Sequence, residues 1–345
     1  MDVRLTAEQR ALRDSAIQVV DALALKSVGQ LDNAERVAKL DAAVAASGWR
    51  EIRTANGNGE PLASSVEAAL VAEELGRGVA DTAYLGPTLA AELRRRAGAA
   101  ASVANETVLL RADLSGPALA SGNEVSGVAV DAHRSASALA LAVDPAGYRL
   151  VAVDLGGAAP EVDLTRPVVR VEAQAVADVS GQRRGLTDGD LQAWSALALA
   201  LTCADLVGTM RGAVELARSY ATIRQQYGAP IGSFQAVQHR LADAFVSMEG
   251  SRSVALHAAW AVDALPPDDA LGAGAVAKAY CSRAAMEACE SAIQVHGGIG
   301  NTWECLAHVY LRRSLLSIQV LGGVGTNLTR VLARHDIGGD HGGLR

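Results

Sequence analysis

Two stretches decide how this chain is read: Arg224-Gln-Gln-Tyr227-Gly228-Ala-Pro230-Ile-Gly-Ser233-Phe234-Gln235, and further on Gln294-Val-His296-Gly297-Gly298-Ile-Gly300-Asn-Thr-Trp303-Glu304. In the first, a helix ending at Arg224 is broken by Gly228 and Pro230, and the pattern predicts a new helix with Ser233 as its N-cap. An arginine at such a break and a Phe-Gln pair at the next helix start can converge on one anion, the guanidinium giving a fork of donors and the helix start giving free N–H groups. In the second, paired glycines let a backbone approach a ligand closely and permit positive φ. A dinucleotide fingerprint needs a strand before its glycines. Here the helical pattern AVAKAYCSRAAMEACESAIQV precedes them, which excludes that reading.

Outward from these motifs the chain has three textures. From Thr6 to about Gly98 it reads as helices, with Thr6 and Gln9 spaced as a capping box, SSVEAALVAEELGRG starting at Ser64 or Ser65, and Pro87 opening PTLAAELRRRAG. Near Asn105 short β-branched segments take over: TVLLRADL, EVSGVAVDA, ALALAVD, YRLVAVDL and PVVRVEAQAVADV, set apart by Gly, Asp or Pro. From about Asp188 to Arg334 long helical patterns return, interrupted at YGAPIGS, LPPDD and HGGIGN, before the glycine-rich tail DIGGDHGGLR. The expected fold is α+β, divided as 1–104 helical, 105–185 a small β-domain, and 186–345 a four-helix bundle.

Composition narrows the function. The 345 residues carry a net charge of −7 with both signs mixed, which argues against a nucleic-acid partner, because phosphate binding uses a basic face. No stretch reaches the 18 or so uncharged apolar residues of a membrane span, and MDVRLTAEQR lacks a signal-peptide core; a cytoplasmic protein is expected. Cys203, Cys281, Cys289 and Cys305 include no CxxC pair, so reduced, buried thiols and no metal site are expected.

Together the two opening stretches resemble the C-terminal domain of acyl-CoA dehydrogenases, which carry an R-x-x-[FY]-G…[FH]-Q element and a Q-[IV]-x-G-G-x-G element with a glutamate a few residues on. TAEQRALRDS, GWREI and EAALVAEELGRG resemble the family's N-terminal helices, EVDLTRPVVRV the end of its middle domain, HVYLRR its closing helix, and Gly325-Thr326 a late flavin-contacting turn. The resemblance implies an FAD enzyme that removes hydrogens from Cα and Cβ of an acyl-CoA thioester, with an electron-transfer flavoprotein as oxidant. It puts the catalytic carboxylate at Glu304, which needs a dry pocket to raise its pKa. It also implies that Arg224, Tyr227, Phe234, Gln235, Gln294, Gly297 and Gly298, with Thr326 nearby, contact FAD, most of them across a subunit interface on a partner's ADP half.

The departures from the family lie in the β-domain. Its T-E-x-x-x-G-S-D-like loop and its G-x-K-x-[WF]-[IS]-[ST]-N-like strand are missing; the second reads Gly122-Asn-Glu-Val-Ser-Gly127-Val-Ala-Val. The chain thus keeps the half-site it would lend and lacks the half-site it would own, as in the degenerate subunit of heterotetrameric (α₂β₂) steroid-side-chain acyl-CoA dehydrogenases. Three readings stand: a dehydrogenase subunit with Glu304 as base, a catalytically silent subunit that completes a partner's FAD site, and a related flavin oxidase or monooxygenase. The face bearing His308, Tyr310, Arg312 and Arg313 is expected at an interface, and Asp205 to be structural or solvated.

Overall fold

The computed structural model describes residues 4–102, 104–156, 162–181 and 185–335. Four helices come first. Helix α1 (Ala7–Leu23) starts in the Thr6/Gln9 capping box; α2 (Ala34–Ala46) follows; α3 (Ser65–Arg77) starts in a second box formed by Ser64 and Glu67. In each box the side chains and backbone N–H groups satisfy one another at a helix end that otherwise leaves donors unpaired. Helix α4 (Leu85–Ala97) closes the group, with Pro87 in its first turn and three arginines in its last.

The sheet comprises β1 (Glu106–Leu110), β2 (Leu119–Ala120), β3 (Glu124–Val130), β4 (Ser137–Asp144), β5 (Gly147–Asp154), β6 (Val169–Ala175) and β7 (Ala177–Asp178). Its order is β6-β3-β1-β4-β5-β7, with β2 also pairing β4. β1 runs parallel to β4 and antiparallel to β3. Alternation along the strands sends Val108, Leu110, Val130, Leu139, Leu141 and Leu150 into the core shared with the helices. The other face collects Leu109 and a set of small residues, among them Ala129, Ala138, Ala140, Val151 and Val153.

The C-terminal half is helical: α5 (Asp188–Ile223), a small hairpin of β8 (Gln225–Gln226) and β9 (Ala229–Pro230), α6 (Gln235–Ala264), α7 (Pro267–His296), α8 (Ala307–Gln319) and α9 (Val324–Arg334). α5, α6 and α7 pack on one another, α8 lies on α5 and α7, α9 on α7, and α3 on α5. α5 is buried all round from Ala196 to Met210, as a helix with no polar stripe must be. Among the described residues it is the one helix long and apolar enough to cross a membrane, yet 94% of that window is buried inside the protein. All four cysteines are free and buried.

Two local expectations change. Ser233 does not cap α6: it sits in a short 3₁₀ turn, its Oγ donating to Pro230 O at 2.7 Å, and Phe234 takes the N-cap position without a side-chain bond. On α8, Tyr310 and Arg313 face inward, Tyr310 Oη donating to Arg77 O at 2.9 Å; they are core residues of this chain, not interface residues. The tail from Asp336 lies outside the described residues.

Candidate functional site

The break after α5 is a tight hairpin. Gln225 pairs Pro230 and Gln226 pairs Ala229, leaving Tyr227 and Gly228 as a two-residue turn with φ of 52° and 78°. Positive φ at both central positions is the turn whose twist suits a hairpin, and it explains the glycine. Tyr227 is 94% exposed at the tip, its ring edge-on to Phe234 with centroids 6.3 Å apart. Arg224 is the C-cap of α5 and is exposed, and Gln235 is exposed at the first position of α6.

The glycine motif closes on the same end of the bundle. Gly297, at φ 65°, ends α7, and Gly297–Asn301 forms a 3₁₀ turn. His296 stacks on Tyr220 of α5 with ring centroids 4.5 Å apart, while its Nδ1 lies 2.7 Å from Ala292 O. Tyr220 and Ile223 share one cavity of about 280 Å³ with His296 and Ile299, so the residues flanking Arg224 meet those flanking Gly297 and Gly298. Gln294, Gly297 and Gly298 are all exposed. Thr326, though exposed, belongs elsewhere. Lys278 Nζ donates to Val320 O (2.6 Å) and Gly322 O (3.2 Å), and Arg330 to Ser115 O (3.1 Å), which ties the start of α9 to mid-α7 and the sheet. Gln294 lies sixteen residues beyond Lys278, about 24 Å along the helix.

Glu304 lines that same 280 Å³ cavity together with Lys26, Ser27, Leu216 and Ser219, and it is exposed. No strand residue lines the cavity. The carboxylate therefore faces water and the loop after α1, and the dry pocket against the sheet that its expected role demands is not around it.

The seam between sheet and helices is filled by an ionic cluster. Asp205 of α5 is fully buried: Oδ1 accepts from Arg313 Nη2 (2.7 Å) and Nε (3.0 Å), and Oδ2 from Arg166 Nη1 (3.0 Å) and Ser317 Oγ (2.7 Å). Arg166 also reaches Asp163 (2.8 Å), and Arg313 reaches Thr165 Oγ1 (2.9 Å) and Ala80 O (3.0 Å). Burial pushes the Asp205 carboxyl up, but the two guanidinium groups outweigh it and hold the pKa below the ordinary value. Burial likewise opposes the charge on Arg166, and Asp205 and Asp163 overcome it. The space left among these groups, Tyr84 and Asp131 is about 10 Å³, at the limit for one water. Asp131, at the end of β3, accepts the N–H groups of Tyr84 (2.8 Å) and Gly86 (3.1 Å) and so pins the start of α4 there. A Cβ on Gly86 would overlap Thr107 Oγ1 and stand 2.8 Å from Val130 O.

Comparison with known proteins agrees with this architecture. Residues 197–335 match the family description "Acyl-CoA dehydrogenase, C-terminal domain". The acyl-CoA dehydrogenase IpdE2 of Mycolicibacterium smegmatis is 31% identical over 275 residues, which cover 77% of this chain and 78% of that protein. The chain belongs to the acyl-CoA dehydrogenase family. Solved structures share its fold: a Tcur3481–Tcur3483 steroid ACAD variant (TM-score 0.79, 24% identity, covering 95% of this chain and 98% of the other), and the ChsE4–ChsE5 complex of Mycobacterium tuberculosis (TM-score 0.75, 21% identity, covering 97% and 99%).

The acyl-CoA dehydrogenases are oxidoreductases, and FAD is the cofactor of this fold. In this chain β3 carries no aromatic side chain for a flavin ring to pack against. The strand that should offer an aromatic face is β3, with Val128, Ala129 and Val130, and its end is covered by α4 at contact distance. The missing aromatic was legible in the sequence. The plug of Arg166, Asp205 and Arg313 was not, although a lone carboxylate inside the apolar run Leu199–Met210 was its signal, because such a group must find a charged partner.

Proposed function

We propose that this chain is the non-catalytic subunit of a heteromeric, FAD-dependent acyl-CoA dehydrogenase. It binds no flavin ring of its own. Arg224, Tyr227, Phe234, Gln235, Gln294, Gly297 and Gly298 instead complete the ADP half of an FAD site on an intact partner subunit. That partner holds the acyl-CoA thioester, supplies the base, and passes electrons to an electron-transfer flavoprotein; Glu304 of this chain takes no part. The observation that carries the reading is the seam closed by Arg166, Asp205 and Arg313, taken with the exposed donated residues at the far end of α5. On the donated face, Arg224 offers a planar fork of donors suited to a pyrophosphate, and Gly297 and Gly298 let backbone approach it. The solved structures described as a steroid ACAD and as a two-component complex support a steroid-derived thioester and a heteromeric assembly.

The test is flavin stoichiometry. The chain is purified alone and together with an intact acyl-CoA dehydrogenase encoded beside it. The expected result is almost no flavin alone and about one FAD per pair of chains in the complex, the count set when each partner site is completed by one donated half-site. Arg224→Ala should then release flavin from the assembled complex. A full complement of tightly bound flavin in the lone chain would refute the proposal.

A further inference from the structure

The two halves of the donated face sit at the last turns of two different helices, and helix ends are where backbone frays most readily. Among the described residues no hydrogen bond joins 224–235 to 294–304. What spans the gap is a ring pair: Tyr220 and His296 stack with centroids 4.5 Å apart and planes at 25°. Each ring is tied to one motif. Tyr220 O accepts the Arg224 N–H at 2.9 Å, so the tyrosine lies one turn before the arginine on the same side of α5. Arg224 O in turn accepts the Ile231 N–H at 2.8 Å, which carries the constraint around the hairpin toward Phe234. His296 directly precedes Gly297. Its Nδ1 donates to Ala292 O at 2.7 Å, since a carbonyl can only accept, and this bond together with the stack fixes the ring plane. The turn that follows folds back over the histidine: a Cβ on Gly300 would stand 3.0 Å from His296 Cβ and 2.8 Å from Ile293 O. His296 is buried and Tyr220 half-buried.

A guanidinium fork and a pair of backbone N–H groups can share one pyrophosphate only if their separation is held. Charge-assisted bonds want heavy atoms about 2.7–2.9 Å apart, so slack on the order of 1 Å between the two segments loses one of the two contacts. We propose that the Tyr220–His296 stack is a positioning device for the donated half-site. It holds the end of α5 against the end of α7, and so sets the spacing between the Arg224 guanidinium and the Gly297–Gly298 backbone before a partner arrives. Neither ring need touch the cofactor; both act through the residues beside them. Preorganisation of this kind raises affinity by lowering the ordering cost of binding. The inference rests on the reading of this chain as the donor of half an FAD site, and it says what keeps that half-site in shape in the lone chain.

The first readout is flavin release from the complex of this chain with the intact acyl-CoA dehydrogenase encoded beside it, followed by the rise in flavin fluorescence on dilution. Tyr220→Leu and His296→Leu remove the stack from either side, and each should speed release by roughly threefold to tenfold, the range an aromatic pair is worth. Tyr220→Phe returns a ring of the same shape and should restore slow release, with circular dichroism confirming that every variant folds. Added to Arg224→Ala, Tyr220→Leu should change release by less than about twofold, because the arginine it positions is gone. A merely structural tyrosine would act equally in both backgrounds. The second readout is amide hydrogen exchange in the full-length lone chain, where Tyr220→Leu should speed exchange in the Gly297–Asn301 turn, on the other segment. Release unchanged by Tyr220→Leu, or speeded as much with Arg224→Ala as without it, overturns the positioning role and leaves the donor reading in place. Unaltered exchange in that turn does the same. If Arg224→Ala alone leaves release unchanged, the donor reading itself fails and the positioning role falls with it, whatever the exchange shows.

Discussion

Replacing Asp205 by Asn keeps the volume of the side chain and removes its charge. The carboxylate accepts four hydrogen bonds, three from guanidinium nitrogens and one from Ser317. A carboxamide offers one oxygen, and turns an NH₂ toward a donor whichever way it is placed. Arg166 keeps Asp163, but Arg313 is left with only Thr165 Oγ1 and Ala80 O. Breaking a buried pair in this way costs about 3–5 kcal/mol, because the residual cation stays desolvated. That is a large part of the roughly 5–15 kcal/mol that holds a domain together. With a urea m-value of about 3 kcal/mol/M, the unfolding midpoint should fall by about 1–1.7 M, read by circular dichroism on the full chain. A fall of less than about 0.3 M would mean that water reaches these ions. The seam would then be open, and the reason for denying this chain a flavin ring would fail.

Further outcomes follow from the same contacts. The folded Asp205 pKa lies below its ordinary value of 3.8, so the stability it contributes is whole above that value and is lost as pH falls through the folded pKa; Asp205→Asn should flatten the acid limb of a stability–pH curve. Gly86→Ala drives a methyl into Thr107 Oγ1 and the Val130 carbonyl and should cost about 1–3 kcal/mol in denaturant unfolding, whereas a neutral effect would show slack at the end of β3. Lys278→Met strips the donor from four buried carbonyls, those of Ser317, Ile318, Val320 and Gly322, and should cost several kcal/mol, with the α8–α9 turn becoming the first site of protease nicking. Glu304→Gln should leave turnover of the assembled enzyme within about twofold; a fall of several orders of magnitude would make Glu304 the base after all.

Much of the fold was legible because its signals are local. The Thr6/Gln9 capping box, the helix start at Ser64, the strand segments with their turn residues, and the break at Gly228 and Pro230 can be read within a few residues of sequence. What was not legible depends on contacts between distant segments. Arg166, Asp205 and Arg313 come from the end of the sheet, α5 and α8, and nothing local ties them together. Helix α8 shows the limit sharply. Its 3.6-residue period puts His308, Leu311, Arg312 and Leu315 on one side, and Tyr310, Arg313, Ser314 and Ser317 on another. Grouping His308, Tyr310, Arg312 and Arg313 as one face merged a cavity wall with a core stripe. The direction of Glu304 was also beyond reach, since a motif fixes its place along the chain but not which wall it faces.

The closed seam also bears on how this chain can change over generations. Any single replacement at Arg166, Asp205 or Arg313 strands a buried charge, and a return toward an open pocket needs all three to go together, along with α4 lifting from the end of β3. Each intermediate would give up a large part of the fold's stability. Such a cluster works as a ratchet: once the seam is ionically sealed, no single replacement reopens it.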